Sequence, residues 1–356
     1  RKKRAPLHSC AGVRFLRRPF LIASISVQMD FFKDIIQKKQ ILGNENLISD
    51  KNSLHIAFGI DANFTIGTGV LIYSILQHNK ANMVFHIFTN SIYDDDISRF
   101  TKLINNNNIA IIIYFVNPKN FSNLPTEYTW TQAIYYRILA CECLPTSISK
   151  VLYLDSDILC LKPLTNLFNY QLNDNIAMVV GDIETKSRYI KSLNFNFKNT
   201  FYFNTGVMLI NISAWKNNNI STKFIDLLST HDDFKFFDQD VLNILLSNKV
   251  VVLPPYFNDV FPLMDINTNI NNDTVLLHYA GSTKPWHLWG KGHSLTKLWL
   301  NYKLKSPWKD VPILQPTTYR QAKNMARINK KHKQYLSALY WYLKYSLWKI
   351  QTKLKI

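Results

Sequence analysis

The stretch Lys150-Val151-Leu152-Tyr153-Leu154-Asp155-Ser156-Asp157 decides the fold of this 356-residue chain. Its apolar part, 151–154, is hydrophobic at every position, which is typical of a strand buried on both faces in the middle of a sheet. Two carboxylates follow at positions i and i+2, and extended backbone places both on the same side. Because such charges repel each other unless a cation lies between them, the pair predicts a site for Mg²⁺ or Mn²⁺.

The position of this acidic pair also indicates which ligand the metal would bind. Ligands of open α/β sheets bind at the carboxyl ends of the strands, so the group that such a cation usually binds would be a diphosphate. An Asp-x-Asp pair is short, however, and the same residues could form a solvated turn or the acidic first turn of a helix. The surrounding sequence has to separate these two interpretations.

Strands and helices alternate along the chain, which predicts a parallel sheet with helices on both faces. A polar lead-in over 30–52 and a Pro-, Asn- and Asp-rich loop over 254–274 stand outside this alternation. The predicted strands are 54–60, 83–88, 109–116, 150–154, 177–180, 207–210, 250–253 and 275–278, and the predicted helices are 68–78, 94–104, 131–143 and 238–247.

Two common phosphate-binding devices are missing from the sequence. No Gly-x-Gly-x-x-Gly follows the first predicted strand, and no Gly-Lys-Ser/Thr loop occurs anywhere. Their absence argues against a dinucleotide-dependent dehydrogenase and against a P-loop kinase. The acidic pair is therefore the available device for holding phosphates.

The net charge of +18 belongs to the two ends of the chain. Residues 1–28 carry seven basic side chains and residues 319–356 carry ten, and neither segment has an acid. The body, 29–318, holds 25 basic against 24 acidic residues. This distribution argues against a nucleic-acid groove across the main domain and favours a tail that meets an anionic surface.

The N-terminal 28 residues are predicted to lie outside the fold. Their apolar run over 20–27 is short and has no small-residue cleavage pattern, whereas Met29 reads as a natural start. No run in the chain reaches the length of a membrane span. We expect a catalytic domain over 29–300 and a C-terminal helical region over 301–356.

Three further segments carry polar groups at predicted strand ends. Asp61 and Asn63 follow the first strand, where they could bind a nucleobase or ribose edge or simply form an Asx turn. Asp238 opens a helix, where capping is the usual role of such a residue. His278 ends a late strand, and Gly281 and Lys284 follow it, which suits a third metal ligand beside groups for a diphosphate.

Taken together, these segments resemble glycosyltransferase family 8, most closely its bacterial lipopolysaccharide glucosyl- and galactosyltransferases. The resemblance covers roughly residues 54–290 and rests on motifs that occur in order. They are Ala57-Phe58-Gly59-Ile60-Asp61-Ala62-Asn63, Tyr136-Arg137, Leu152-Tyr153-Leu154-Asp155-Ser156-Asp157, Phe203-Asn204-Thr205-Gly206-Val207, Asp238-Gln239-Asp240 and His278-Tyr279-Ala280-Gly281-Ser282-Thr283-Lys284-Pro285-Trp286.

The resemblance implies a GT-A fold, a Rossmann-like nucleotide-diphospho-sugar transferase domain, with UDP-glucose or UDP-galactose as donor. It implies Mn²⁺ or Mg²⁺ held by Asp155, Asp157 and His278. The implied donor-binding residues are Gly59, Asp61, Asn63, Arg137, Ser156, Gly281 and Lys284. The residues implied around the transferred sugar are Asn204, Asp238 and Gln239, with Asp182 as a looser match.

Enzymes of this type retain the anomeric configuration, and two routes achieve that. One is a double displacement, which needs a carboxylate nucleophile. The other is front-face attack by the acceptor as UDP leaves. Because Gln239, at the matching position, is a poor nucleophile, we favour the front-face route.

The C-terminal region interleaves Lys and Arg with Trp, Tyr and Leu. Basic amphipathic helices of this kind bind anionic lipid, whereas the alternative is a solvated helix that packs its aromatic face on the main domain. The resembling enzymes act on a lipid-anchored lipopolysaccharide acceptor, which favours a peripheral place on the cytoplasmic face of the bacterial inner membrane.

Two other functions remain open at the level of sequence. One is a transferase of the same fold with another acceptor, such as a protein glycan or a self-glucosylating primer. The other is a non-catalytic binder of membranes or nucleic acid that acts through its basic ends.

Overall fold

The computed structural model describes residues 31–354 apart from 105–106, 127–130, 183, 192, 194, 196, 198–200, 232 and 264–269. The predicted N-terminal extension, 1–28, lies outside the described residues. Every structural statement below concerns the described part of the chain.

Eight strands form the main sheet, in the order β1-β4-β3-β2-β5-β8-β7-β9. The strand with the acidic pair at its end, β5, lies near the centre, between β2 and β8. The bounds are Ile36–Gly43 (β1), Leu54–Ile60 (β2), Met83–Thr89 (β3), Ile109–Val116 (β4), Lys150–Leu154 (β5), Ala177–Gly181 (β7), Phe203–Asn211 (β8) and Val250–Val252 (β9).

The predicted parallel sheet is correct only in part, because the sheet is mixed. Strands β2, β3, β4 and β5 run parallel, but β8 is antiparallel to both β5 and β7, and β1 is antiparallel to β4. A centrally buried strand is apolar on both faces whichever way it runs, so the hydrophobic pattern could not reveal its direction.

Strand β1 lies inside the segment that was predicted to be a polar lead-in. Its sequence, IQKKQILG, has exposed polar side chains because the strand forms one edge of the sheet and covers β4. Edge strands commonly carry lysines, which discourage pairing with other chains. Their polar composition hides them from a search for hydrophobic runs.

A second, three-stranded sheet brings the late part of the chain to the acidic pair. It consists of β6 (Ile158–Cys160), β10 (Asp259–Val260) and β11 (Leu276–His278), in the order β10-β11-β6. Strand β11 is antiparallel to β6, with His278 opposite Ile158, and the N–H of Tyr279 donates to the carbonyl of Asp157. The predicted strand over 275–278 therefore exists, but it belongs to this smaller sheet.

Eleven helices accompany the sheets in the described residues. They are α1 (Thr65–His78), α2 (Asp94–Thr101), α3 (Arg137–Cys143), α4 (Thr165–Asn169), α5 (Glu184–Lys191), α6 (Ile212–Asn217), α7 (Ile220–Thr230), α8 (Phe237–Leu245), α9 (Ser294–Lys305), α10 (Tyr319–Lys331) and α11 (Tyr335–Leu354). The helix predicted over 131–143 is a 3₁₀ segment, Gln132–Tyr136, followed by α3. The helix predicted over 94–104 ends earlier, at Thr101.

Helices cover both faces of the main sheet, as the sequence predicted. One core contains Val70 of α1 and Trp299 of α9, and the other contains Leu139 of α3 and Phe224 of α7. These residues are at most 1% exposed, so the strands between the two cores are shielded from water on both sides.

The C-terminal region is an antiparallel pair of helices, α10 and α11, which pack on each other. Thr318 and Gln321 form a capping box at the start of α10. None of the helices in the described part of the chain has the combination of length and hydropathy that crossing a bilayer requires.

Candidate active site

Asp155, Asp157 and His278 converge at the carboxyl end of β5. The candidate ligand atoms of these three side chains all lie within 4.8 Å of one another, and both Asp157 and His278 are buried. Asp155 and Asp157 come from the turn between β5 and β6, and His278 comes from the end of β11. The pairing of β11 with β6 therefore brings the sequence-predicted imidazole to the two carboxylates.

Gly206 lies against this cluster and leaves room for it. A Cβ atom at this position would lie 2.5 Å from Cε1 of His278 and 2.8 Å from Oδ2 of Asp155. The backbone carbonyl of Gly206 accepts a hydrogen bond from the N–H of Asp155 at 2.8 Å. Glycine is needed here for close approach of the backbone to the three side chains.

Lys284 supplies a positive charge at the edge of the cluster. Its Nζ contacts Oδ2 of Asp157, and Nε2 of His278 lies 3.2 Å from Oδ1 of the same carboxylate. Burial by itself would raise the pKa of Asp157, but the charge of Lys284 outweighs it and holds that pKa below its usual value. Asp157 therefore stays ionised and able to hold a cation.

Arg137 is buried beneath the cluster and is held by the protein itself. Its guanidinium donates to the carbonyls of Ile134 (3.0 Å) and Thr205 (2.7 Å) and to Oδ1 of Asp155 (3.1 Å). It also stacks on the ring of Tyr153, 4.8 Å from the ring centroid. The side chain therefore orients Asp155, a role that the resemblance did not assign to it.

Asp238, in the first turn of α8, faces the same guanidinium. Its Oδ2 lies 3.0 Å from Nε of Arg137, but that N–H is directed to a carbonyl, so no donor in the described residues hydrogen-bonds this oxygen. Burial, reinforced by the charge of Asp155, raises the pKa of Asp238 to about 6 although Arg137 opposes the shift. A buried acceptor without a donor is a position for a ligand hydroxyl.

A chain of amide hydrogen bonds connects the helix start of α8 with the metal cluster. Asn204 donates from Nδ2 to Oε1 of Gln239 at 3.1 Å, and the N–H of Thr205 lies 3.4 Å from the same oxygen. Oδ1 of Asn204 accepts from the N–H of Gly206 (2.9 Å) and from Nδ2 of Asn258 (2.8 Å). The predicted residues Asn204 and Gln239 thus lie side by side.

Asn258 is a site residue that the sequence reasoning missed. It is 3% exposed, and its Oδ1 lies 2.9 Å from Nδ1 of His278. It falls in the segment 254–274, which was predicted to be a polar loop, and nothing in the local pattern separates it from the neighbouring asparagines. The only available signal was the short strand β10, which begins at the residue directly after Asn258.

The residues predicted to bind the nucleotide lie at the end of β2 and in the 3₁₀ turn that precedes α1. Asp61 caps the 3₁₀ turn that contains Asn63, accepting from its N–H at 2.9 Å, and also accepts from Oγ1 of Thr131 at 2.9 Å. This is the Asx-type turn that was the alternative at the sequence level. Gly59 packs against the backbone of 133–137, where a Cβ would lie 2.9 Å from that of Tyr136.

The other predicted binding positions differ in whether their polar groups already have partners within the protein. Ser156 is 5% exposed and accepts from Oγ1 of Thr68 at 2.8 Å, so it joins the acidic turn to α1. Gly281 has a φ of +96°, and no atom lies within 4 Å of where its Cβ would be. Its backbone is therefore accessible in the turn after His278.

Two further acids lie on the other side of β8. Asp182, at the end of β7, pairs with Nζ of Lys186 at 2.5 Å. Asp240 is fully buried and accepts four hydrogen bonds, from the hydroxyls of Tyr189 and Tyr202 and from the N–H groups of Lys235 and Phe236. Asp240 therefore fixes the turn that precedes Asp238 and Gln239.

The donor set of the cluster fits a divalent cation. Two carboxylates and one imidazole suit Mn²⁺ or Mg²⁺, and Gly206 leaves the space between them that a side chain would fill. A basic side chain and an accessible turn lie next to this set. A mixed α/β domain with such a centre at the carboxyl end of its central strand has the architecture of the GT-A glycosyltransferases.

The chain belongs to glycosyl transferase family 8. The model of that family matches residues 55–290, and the model "Glycosyl transferase family 8 C-terminal" matches residues 294–349. The resemblance stated from the motifs is therefore confirmed.

Similar proteins include two bacterial enzymes that match nearly the whole chain. The lipopolysaccharide glucosyltransferase WaaO of Escherichia coli (strain K12) is 34% identical over 91% of this chain and 98% of its own length. The lipopolysaccharide 1,3-galactosyltransferase of Salmonella typhimurium is 34% identical over 88% of this chain and 97% of its own.

A solved structure gives the same fold. The galactosyltransferase LgtC, in complex with donor and acceptor sugar analogs, superposes with a TM-score of 0.61 at 24% identity, covering 71% of this chain and 96% of LgtC. The predicted GT-A fold is confirmed.

Proposed function

We propose that this protein is a retaining, metal-dependent hexosyltransferase that moves glucose or galactose from a UDP-sugar to the lipopolysaccharide core. The observation that carries the proposal is the convergence of Asp155, Asp157 and His278 beside the buried Asp238 and Gln239. Relatives that are 34% identical over about nine-tenths of the chain are named as lipopolysaccharide glucosyl- and galactosyltransferases.

The metal cluster suits the departure of a nucleoside diphosphate. Asp155, Asp157 and His278 would hold Mn²⁺ or Mg²⁺, which as a Lewis acid stabilises the negative charge that develops on the leaving diphosphate. Lys284 adds a cation at the same edge, and the backbone of Gly281 is accessible for a phosphate oxygen.

The polar groups of α8 and β8 suit the transferred sugar. The unsatisfied Oδ2 of Asp238 accepts a sugar hydroxyl in this proposal, since a buried acceptor without a donor is costly in free energy. Asn204 and Gln239 hold each other in place beside it. Asp182, which pairs with Lys186, is the looser member of this proposed set.

Two of the candidate nucleophiles, Gln239 and Asp240, are already held by hydrogen bonds, which supports the front-face route. Oε1 of Gln239 already faces the donors of Asn204 and Thr205, so this side chain directs its amide nitrogen elsewhere. Both oxygens of Asp240 are occupied by hydrogen bonds. A carboxylate held in this way is a poor nucleophile, because attack on the sugar would break all of these bonds.

A donor panel tests the proposed function. Purified protein is incubated with UDP-glucose, UDP-galactose and other UDP-sugars, with Mn²⁺ and with truncated lipopolysaccharide. We expect UDP release with one of the two hexose donors, product with retained anomeric configuration by NMR, and no release with EDTA.

Binding of UDP gives an independent measurement of the same site. A ligand present at 100 times its Kd stabilises the folded state by about 2.7 kcal/mol, so UDP with Mn²⁺ should raise the Tm, and UDP with EDTA should not. Absence of both UDP release and UDP-dependent stabilisation would refute the proposal. Release that depends on a protein or glycan primer would instead support the same-fold alternative.

The proposed function includes attachment to the cytoplasmic face of the inner membrane through α11. Six apolar side chains of α11 recur every three or four residues, which places them on one face, and each of the six is more than half exposed. They form the leucine stripe, defined as Leu336, Leu339, Leu343, Leu347, Ile350 and Leu354.

The charge around the leucine stripe suits an anionic bilayer. Residues 319–354 contain nine Lys or Arg and no acid, and each basic residue near such a surface contributes about 1 kcal/mol. Lys344 lies over the rings of Tyr340, Trp341 and Trp348, and aromatic rings of this kind favour the membrane interface.

Charged substitutions within the leucine stripe test the attachment. The double variant Leu343→Asp/Leu347→Asp should lose at least about tenfold in binding to vesicles that contain phosphatidylglycerol, because two leucines inserted into the bilayer would contribute several kcal/mol. Leu304→Asp is the matched control, since Leu304 on α9 is also exposed (62%) but lies outside the stripe. Equal vesicle co-sedimentation of the two variants would contradict this assignment.

A further inference from the structure

We infer that Asn258 is a positioning residue for the metal centre, which fixes His278 in the tautomer that carries its proton on Nδ1. The inference rests on the proposed function, because it concerns the same cation site. Asn258 is buried, and it contacts His278 on one side and Asn204 on the other. It therefore joins the metal cluster to the residues proposed to surround the sugar.

The direction of these hydrogen bonds follows from the backbone amide of Gly206, which is always a donor. The N–H of Gly206 can only donate, and it lies 2.9 Å from Oδ1 of Asn204. This oxygen is thus an acceptor, and the Asn258 atom 2.8 Å from it has to be the amide nitrogen.

The orientation of Asn258 then determines the protonation of His278. With Nδ2 directed to Asn204, the amide oxygen faces Nδ1 of His278 at 2.9 Å. An amide oxygen only accepts, so Nδ1 carries the proton, and Nε2 of the neutral ring keeps its lone pair. Nε2 is the atom that faces Asp157, at 3.2 Å.

This tautomer is the one that a metal ligand needs. Histidine ligands usually donate their second N–H to an oxygen, which fixes the ring orientation and raises the basicity of the ligating nitrogen, and loss of that partner costs about 10–100-fold in metal affinity. Asn258 has the position and the acceptor atom for this task.

Two substitutions at Asn258 separate positioning from mere packing. Asn258→Leu keeps the branched shape of the side chain but removes both hydrogen bonds, and we expect it to weaken Mn²⁺ binding in the presence of UDP by about 10–100-fold. Asn258→Asp keeps an acceptor for Nδ1 but loses the donor to Asn204. It should retain Mn²⁺ affinity within a few fold while kcat falls, a split that a purely structural role would not produce.

The readouts are Mn²⁺ titration by electron paramagnetic resonance and the ring ¹⁵N shifts of His278 in metal-free protein, assigned with His278→Gln. Asn272→Leu, an exposed site in the same segment, is the control and should bind Mn²⁺ like the wild type. The inference is overturned if Nδ1 of wild-type His278 carries no proton, or if Asn258→Leu binds Mn²⁺ unchanged. Wild-type protein that binds no Mn²⁺ would contradict the proposed function instead, and the ¹⁵N shifts would still decide the tautomer.

Discussion

Asp157→Asn should lower the rate of UDP release from the donor sugar by about three orders of magnitude. Asp157 is the most enclosed carboxylate of the cluster, with 7% of its side chain exposed and both oxygens directed to His278 and Lys284. Asparagine has nearly the same shape but no charge, so the protein would fold with a cluster that holds a cation poorly. Steady-state UDP release with saturating Mn²⁺ measures the effect.

The control for this experiment is Asp95→Asn, because Asp95 is also in an ion pair, with Arg99, but its side chain is 86% exposed. Exposed ion pairs contribute little to stability, and this variant should retain the activity and the Tm of the wild type. If Asp157→Asn kept more than about a tenth of the wild-type rate, the metal-assisted departure of UDP would be wrong.

Gly206→Ala should reduce activity by at least about a hundredfold while the fold persists. The added Cβ would lie 2.5 Å from His278 and 2.8 Å from Asp155, closer than real Cβ contacts allow, so both ligands would have to move. A shift of this size at a reacting centre costs far more in rate than in folding free energy. The measurement is kcat, together with Mn²⁺ affinity in the presence of UDP.

Gly181→Ala is the matched control in the neighbouring strand β7. A Cβ there would meet only Phe201, at an ordinary contact distance of 3.9 Å. We expect wild-type kcat and Mn²⁺ affinity for this variant. Wild-type kcat in Gly206→Ala as well would mean that the geometry of Asp155 and His278 does not limit the reaction.

The sequence predicted much of the fold because buried strands and amphipathic helices leave local patterns. Strands β2, β4 and β5 have the predicted bounds, and β3 extends one residue further than predicted. The errors arose where local pattern carries no information. The direction of β8 and the strand character of 36–43 depend on which neighbour each segment pairs with, and that is set by packing across the chain.

The candidate site also contains residues that a local sequence pattern reveals and residues that only the folded structure reveals. Asp155 and Asp157 could be found from the sequence because both follow one buried strand, and the motif around His278 supplied the third member of the cluster. Asn258 gave no such signal, and neither did the contacts that Arg137 makes with Thr205 and Asp155. Their partners lie far away in sequence.

By itself, then, the sequence determined the family, the strand that carries the acidic pair and the residue types that suit a divalent cation. Only the tertiary structure decided how β11 pairs with β6, why position 206 has to be glycine, and which atom of His278 faces the carboxylates. The physical reason is that hydrophobic periodicity reports the burial of each residue, whereas a binding site depends on distances between segments that meet only when the chain has folded.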